Sequence, residues 1–203
     1  MKHTLRTAIL LSFACAALAA FSNSSNAQKI DLAFGVSTVT APSASSADSS
    51  HSPVSLTGGT YPGVSGDVLF WHNLGIGAEI YWKASRSVYP ALPTDVPYRP
   101  LFLDFNAVYS PKLASHTYLE LLGGIGALDT RFYCQQCGNG FNTNFSSDKH
   151  FMADFGAGIK FYPKGGFFVR PEAKLYLVNN NQLFSSPRIT RFGLSLGYTF
   201  GGH

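Results

Sequence analysis

The chain has 203 residues, of which 45% are hydrophobic and only 13% charged, against about a quarter charged in an ordinary soluble domain. That mixture excludes a disordered tail and a charged coiled coil, while 20 glycines beside 17 phenylalanines and 10 tyrosines suit sheets with tight turns and aromatic girdles. The net charge of +4 does not point to nucleic acid, because Lys2 and Arg6 lie in a segment expected to be removed, leaving 13 basic against 11 acidic residues with no long basic run.

Residues 1–27 have the shape of a secretory signal peptide. Lys2, His3 and Arg6 precede the apolar run Thr7 to Phe21, and a polar stretch ends in Ser25-Asn26-Ala27, so cleavage is expected before Gln28. The apolar run is about 15 residues, short of the roughly 20 that a transmembrane anchor needs. A lipoprotein signal at Cys15 would carry Leu three places earlier, where this chain has Ser12. The mature domain is therefore expected to span residues 28–203, with Cys134 and Cys137 as its even pair.

From Gln28 onward no helical period is sustained and no apolar run reaches the length of a membrane helix. A period of two dominates instead. It starts at Ile30 to Ser37, continues less regularly from Tyr61 to Trp71, and recurs at Ile76 to Lys83 and Leu101 to Ala107. Four more stretches follow: Thr117 to Ala127, Phe151 to Tyr162, Phe167 to Val178 and Thr190 to Phe200, giving eight predicted strands. One parity of these strands holds every charge: Asp31, Asp67, Glu79, Lys83, Asp104, Glu120, Asp154, Lys160, Arg170, Glu172, Lys174 and Arg191. Glycines such as Gly35, Gly77, Gly124, Gly156 and Gly193 share that parity, and the other is rich in Phe, Leu, Ile, Tyr and Trp. Small residues beside long charged ones suit a narrow barrel lumen, and an unbroken apolar face suits lipid.

The connections alternate in length. His72-Asn73-Leu74, Ser110 to Ser115 and Pro163 to Gly166 are short, whereas Pro42 to Gly59, Ser85 to Arg99, Leu128 to Lys149 and Asn179 to Arg188 are long. Outer-membrane barrels combine short periplasmic turns with longer external loops, and an even strand number returns both ends to the periplasmic side. Tyr61, Trp71, Trp82, Tyr109, Tyr162 and Tyr198 fall near strand ends and are expected in the interfacial girdles. Pro171 lies within the seventh strand, where a missing backbone donor predicts a bulge or a local break.

The last strand, Arg191-Phe192-Gly193-Leu194-Ser195-Leu196-Gly197-Tyr198-Thr199-Phe200, resembles the C-terminal assembly signal of small eight-stranded outer-membrane β-barrels of the OmpA/OmpX-like kind. Arg191, Gly193, Leu196, Tyr198 and Phe200 carry the pattern, and the tail Gly201-Gly202-His203 departs from a family that usually ends on the aromatic residue. The resemblance covers residues 28–200. It implies an all-β, eight-stranded antiparallel up-and-down transmembrane barrel without an appended periplasmic domain, in the outer membrane of a diderm bacterium. The partners it implies are outer-membrane lipids and the barrel-assembly machinery during biogenesis, with no nucleic acid and an unidentified surface ligand as a further candidate.

An eight-stranded barrel is just wide enough for side chains to fill. The twelve inward charges are accordingly expected to form a plug, with Glu79, Asp104 and Glu120 accepting from Lys83, Lys160, Arg170, Lys174 and Arg191, since an unpaired buried charge is costly. Tyr81, Tyr118, Tyr162 and Tyr176 share that parity and offer hydroxyls to it. Cys134-Gln135-Gln136-Cys137 falls in the longest loop and reads as a disulfide clip. Zinc would need two more ligands, and only His150 is near. The His-x-Ser arrangement of lipid A deacylases does not occur at His51, His72, His116, His150 or His203. Neither a cofactor nor catalysis is expected. The function read here is envelope structure or surface interaction through four external loops, with a narrow or gated pore as the alternative and a lipid-modifying enzyme behind it.

Overall fold

The computed structural model describes residues 29–42, 54–90, 95–134, 144–179 and 184–201. The expected signal at 1–27, along with His51, Cys137 and His203, lies outside the described residues. Eight long strands arise where the sequence alternates: β1 (Lys29–Thr40), β2 (Tyr61–Trp71), β3 (Leu74–Trp82), β5 (Val96–Tyr109), β7 (Thr117–Tyr133), β8 (Phe145–Lys164), β9 (Phe167–Val178) and β10 (Arg188–Phe200). Two short strands extend them. β4 (Ser87–Tyr89) continues the edge of β3 along β5, and β6 (Lys112–Ala114) closes a small hairpin with β7.

Every long strand pairs antiparallel with its neighbours in sequence, and β1 pairs with β10 from Ile30↔Phe200 to Thr40↔Thr190, so the sheet closes into an eight-stranded barrel. The turns explain the tight end. His72 and Asn73 both adopt positive φ, 44° and 67°, the left-handed pair that a two-residue hairpin requires. Gly165 at φ 56° serves the β8–β9 turn. The other end carries the connections around residues 41–60, 83–95, 134–144 and 179–187. As outer-membrane barrels keep short turns on the periplasmic side, this is the end expected to face outward, and is called the external end below.

The inward and outward faces follow the alternation. Leu32, Phe34, Ile76, Phe105, Ile125, Phe155, Phe192, Leu194 and Leu196 are exposed around the outside, Leu196 to 63%. In water such a surface would demand a partner; in hydrocarbon it is the ordinary outer face of a barrel. Inside, glycines make room for large neighbours. A side chain on Gly63 would overlap the Tyr81 ring, one on Gly77 the Asp67 carboxylate, and one on Gly197 the Phe168 ring.

Several sequence expectations change. β7 and β8 run well past the expected ends, so the loop placed at 128–149 shrinks to a neck at Tyr133↔Phe145, above which Cys134 N donates to Asn144 O at 3.2 Å. Pro171 produces a break without a bulge. Pairing of β9 with β8 lapses between Gly158↔Glu172 and Phe161↔Val169 and resumes in the same register, while Pro171 stays aligned with Leu194 of β10. The irregularity lies instead between Phe161 and Lys164. Tyr61 does not join a girdle: it is wholly buried in the lumen, because Gly63, Ser65 and Asp67 share its parity. Tyr162 likewise faces inward, and its hydroxyl bonds Thr199 Oγ1 at 2.9 Å. Trp71, Tyr109 and Tyr198 are exposed, as a girdle requires, and Trp82 is half-buried.

Cys134 is disulfide-bonded at the top of β7. The ladder below it is complete without sulfur, so detergent-solubilised protein should migrate as a compact folded form until boiled, and reduction should leave that heat-dependent shift intact. Loss of the folded band on reduction alone would show that the bridge holds the barrel together.

Candidate functional site: the barrel lumen

All twelve charged residues expected inside are buried there. Eleven form one connected network across all eight long strands. Near the periplasmic end Lys160 Nζ lies 2.6 Å from Asp31, 3.6 Å from Asp67 and in contact with Glu120. Arg170 links this group to the next. It reaches Glu120 at 2.6 Å, Asp67 at 3.5 Å, Glu172 at 3.0 Å and Glu79 at 3.7 Å, and donates to Ser65 Oγ at 2.8 Å. Lys174 Nζ bridges Glu79 at 3.1 Å, Asp104 at 2.9 Å and Asp154 at 3.1 Å. Arg191 completes the set with Glu79 at 2.7 Å and Glu172 at 2.8 Å, its guanidinium 3.6 Å from the centre of the Tyr81 ring.

Glu79 thus meets three cations, which is what a carboxylate buried among long side chains needs to offset its desolvation. Tyr81 donates to Glu172 at 3.3 Å, matching the expected use of tyrosine hydroxyls. Lys83 departs from expectation. It lies above the network at the external end, with its Nζ 5.9 Å from the Tyr61 ring and no carboxylate partner among the described residues. The register explains this: two positions beyond Tyr81 on the same parity, Lys83 has already left the layer that holds the acids.

Seven carboxylates share four cations in this network, so every acid has a basic partner but the formal charge is negative by three. Asp31, Asp67 and Glu120 bring oxygen atoms within 4.8 Å of one another, a metal-like spacing, but Lys160 already occupies their centre. The side chains present fit an ammonium, not an added metal. His150, the one histidine near the cysteines, pairs with Asp148 at 3.1 Å on the β7–β8 extension.

Sequence parity did not reveal that the lumen changes character with height. Above the charges, inward positions turn apolar: Tyr61, Phe102, Leu128, Met152, Tyr176 and Ile189 are essentially unexposed. Phe102 and Tyr176 stack with centroids 4.9 Å apart. Above them Tyr89, Tyr98, Phe132 and Phe184 contact one another edge-on or tilted, and loop residue Phe184 is tied down by a bridge to Val54. The signal was present, since Tyr98, Phe102, Leu128 and Tyr176 hold the inward parity of their strands, but alternation encodes a face and not a depth.

Removing the shared cation should be costly. Arg170→Met is expected to strip a guanidinium from four carboxylates and destabilise the folded barrel by about 3–5 kcal/mol, read as a lower urea midpoint in detergent. Arg86→Met, at the exposed external end over Tyr133, should lie within about 0.5 kcal/mol of the native protein. Equal midpoints for the two variants would sink the network as a source of stability.

The sequence matches the model of the outer membrane protein β-barrel domain over residues 8–200. None of the curated proteins matches it. Among solved structures, Neisserial surface protein A (NspA) is similar at 10% identity and TM-score 0.59, covering 86% of this chain and 99% of its own. Ail, the attachment invasion locus protein of Yersinia pestis, in complex with the heparin analogue sucrose octasulfate, gives 14% identity and TM-score 0.51 over 86% and 98% of the two chains. The N-terminal β-barrel domain of Pseudomonas aeruginosa OprF gives 16% and 0.51 over the same shares. At these identities the likeness is one of fold.

Proposed function

Since the chain belongs to the outer membrane protein β-barrel domain family, we propose that it is a non-conducting, non-catalytic barrel of the outer membrane that supports the envelope and presents four loops to the exterior. The observation that carries this reading is the double obstruction of the lumen. A cross-linked ionic layer from Lys160 to Arg191 lies beneath an aromatic layer around Phe102 and Tyr176, and each fills the cross-section with buried side chains. An ion entering from either side would have to displace charges that already hold several partners, or cross stacked rings whose few buried hydroxyls, such as those of Tyr61 and Tyr176, replace little of its water.

On this reading the outward band of Phe, Leu and Ile binds outer-membrane lipids, and β10 presents Leu196, Tyr198 and Phe200 to the assembly machinery. Binding of a ligand falls to the external connections. Ail, similar in fold alone, carries attachment in its name and has been seen with a sulfated sugar, which favours surface contact as the kind of work such a barrel does. A gated pore is the competing reading, favoured by the polar column that runs unbroken through the ionic layer.

Single-channel recording in planar bilayers separates the two. The native protein should give no conductance steps, and Glu79→Ala should lower the unfolding temperature without opening any. Steps in the native protein whose size changes in Glu79→Ala would replace the plug by a pore.

A further inference from the structure

Beneath the ionic layer the barrel opens to the periplasm through a cavity of about 320 Å³, lined by Lys29, Lys112, Ser115, His116, Tyr118 and Tyr162, with Gly165 and Thr199 completing it. Its charge is all of one sign. Lys29 Nζ lies 5.3 Å and Lys112 Nζ 6.0 Å from the centre of the same Tyr118 ring, so two ammonium groups distant in the chain gather at one aromatic ring. Neither has a carboxylate within ion-pair distance among the described residues. Asp31, the acid nearest in the chain to Lys29, faces inward and is held by Lys160 at 2.6 Å. His116 adds a third basic group, its Nδ1 3.0 Å from Ser115 Oγ. The neighbouring turns contribute His72 and Lys164 and no acid.

Two like charges gathered over one ring repel each other, and an anion between them relieves that repulsion while accepting hydrogen bonds. The roof suits a ligand that stops there. Tyr162 bonds Thr199 and packs on Phe168 with centroids 5.6 Å apart, and Lys160 lies 5.3 Å above the Phe168 ring, so the cavity is a blind vestibule. We propose that this vestibule binds a phosphate group, seated between Lys29 and Lys112 with Ser115, His116 and the Tyr118 hydroxyl as further donors. A small tetrahedral oxyanion matches the compact, strongly hydrated ammonium heads of lysine, and the volume leaves room for the group that carries it. The phosphate is supplied either by a phospholipid headgroup of the inner leaflet or by a free phosphate of the periplasm. This site is independent of whether the lumen conducts, since it lies below the ionic layer.

The test uses the full mature barrel in maltoside micelles, which contain no phosphate, at fixed ionic strength. Inorganic phosphate and a short-chain phosphatidylglycerol are titrated separately by calorimetry, with chloride as the control anion. Saturable binding of at least one phosphate probe is expected, weakened about tenfold or more in Lys29→Gln/Lys112→Gln and retained in Lys29→Arg/Lys112→Arg. Binding of the lipid alone assigns the headgroup; binding of inorganic phosphate assigns the free anion. The heat-dependent gel shift verifies that each variant is folded. No saturable binding of either probe to the native barrel, or equal binding by the folded Gln variant, overturns the proposal.

Discussion

A backbone amide in hydrocarbon has nothing to bond except another backbone group. That constraint organises the molecule. It requires the ladder to close between β1 and β10, and closure with only eight strands leaves an interior just wide enough for side chains to fill. The alternation of the strands then sorts every residue into one of two environments: outside, where anything but an apolar group is expensive, and inside, where space is the scarce quantity. Glycines beside Tyr81, Asp67 and Phe168 follow from the second environment as directly as Leu196 and Phe105 follow from the first.

The interior charges are a consequence of the same geometry. Long side chains that cannot reach water must find each other, and Glu79 and Arg170 do so by holding several partners at once. Higher up, where Leu56 and Phe184 join the inward side chains, burial is achieved with rings instead. Lower down, the paired charges give way to an opening lined by Lys29, Lys112, His116, Tyr118 and Tyr162. The lumen is thus a column of three environments in one tube, and only the middle one is internally compensated, incompletely, by opposite charge.

Much of this could be read from the residues. Strand number, closure, the two faces and the twelve inward charges all follow from a period of two and from where Asp, Glu, Lys and Arg fall along it. Depth could not be read that way. Tyr61 was expected at a girdle because it lies near a strand end, but a strand end fixes height only, and its parity sends the ring inward. Lys83 shows the converse, a correct face at the wrong level for its expected partners. The extended β7–β8 hairpin was illegible for another reason. Above the apolar band the outward positions Asp129, Arg131 and Lys149 are charged, so the apolar outer face that marks the strands lower down ends there although the ladder continues. The periplasmic vestibule was equally hidden, since Lys112 and Tyr118 are partners in one hairpin but Lys29 reaches them only through closure of the barrel.

The four cations of the ionic layer all come late in the chain, Lys160 on β8, Arg170 and Lys174 on β9 and Arg191 on β10, whereas Asp31, Asp67, Glu79, Asp104 and Glu120 come from the five long strands before them. An open sheet therefore has polarity along its strand order: a negative leading portion and a trailing one that is net positive despite Asp154 and Glu172. Curling the sheet until its first and last strands meet is the motion that brings the two portions face to face. The charge pattern gives the unclosed sheet a direction in which to roll, and makes the final seam the step at which attraction across the tube is greatest.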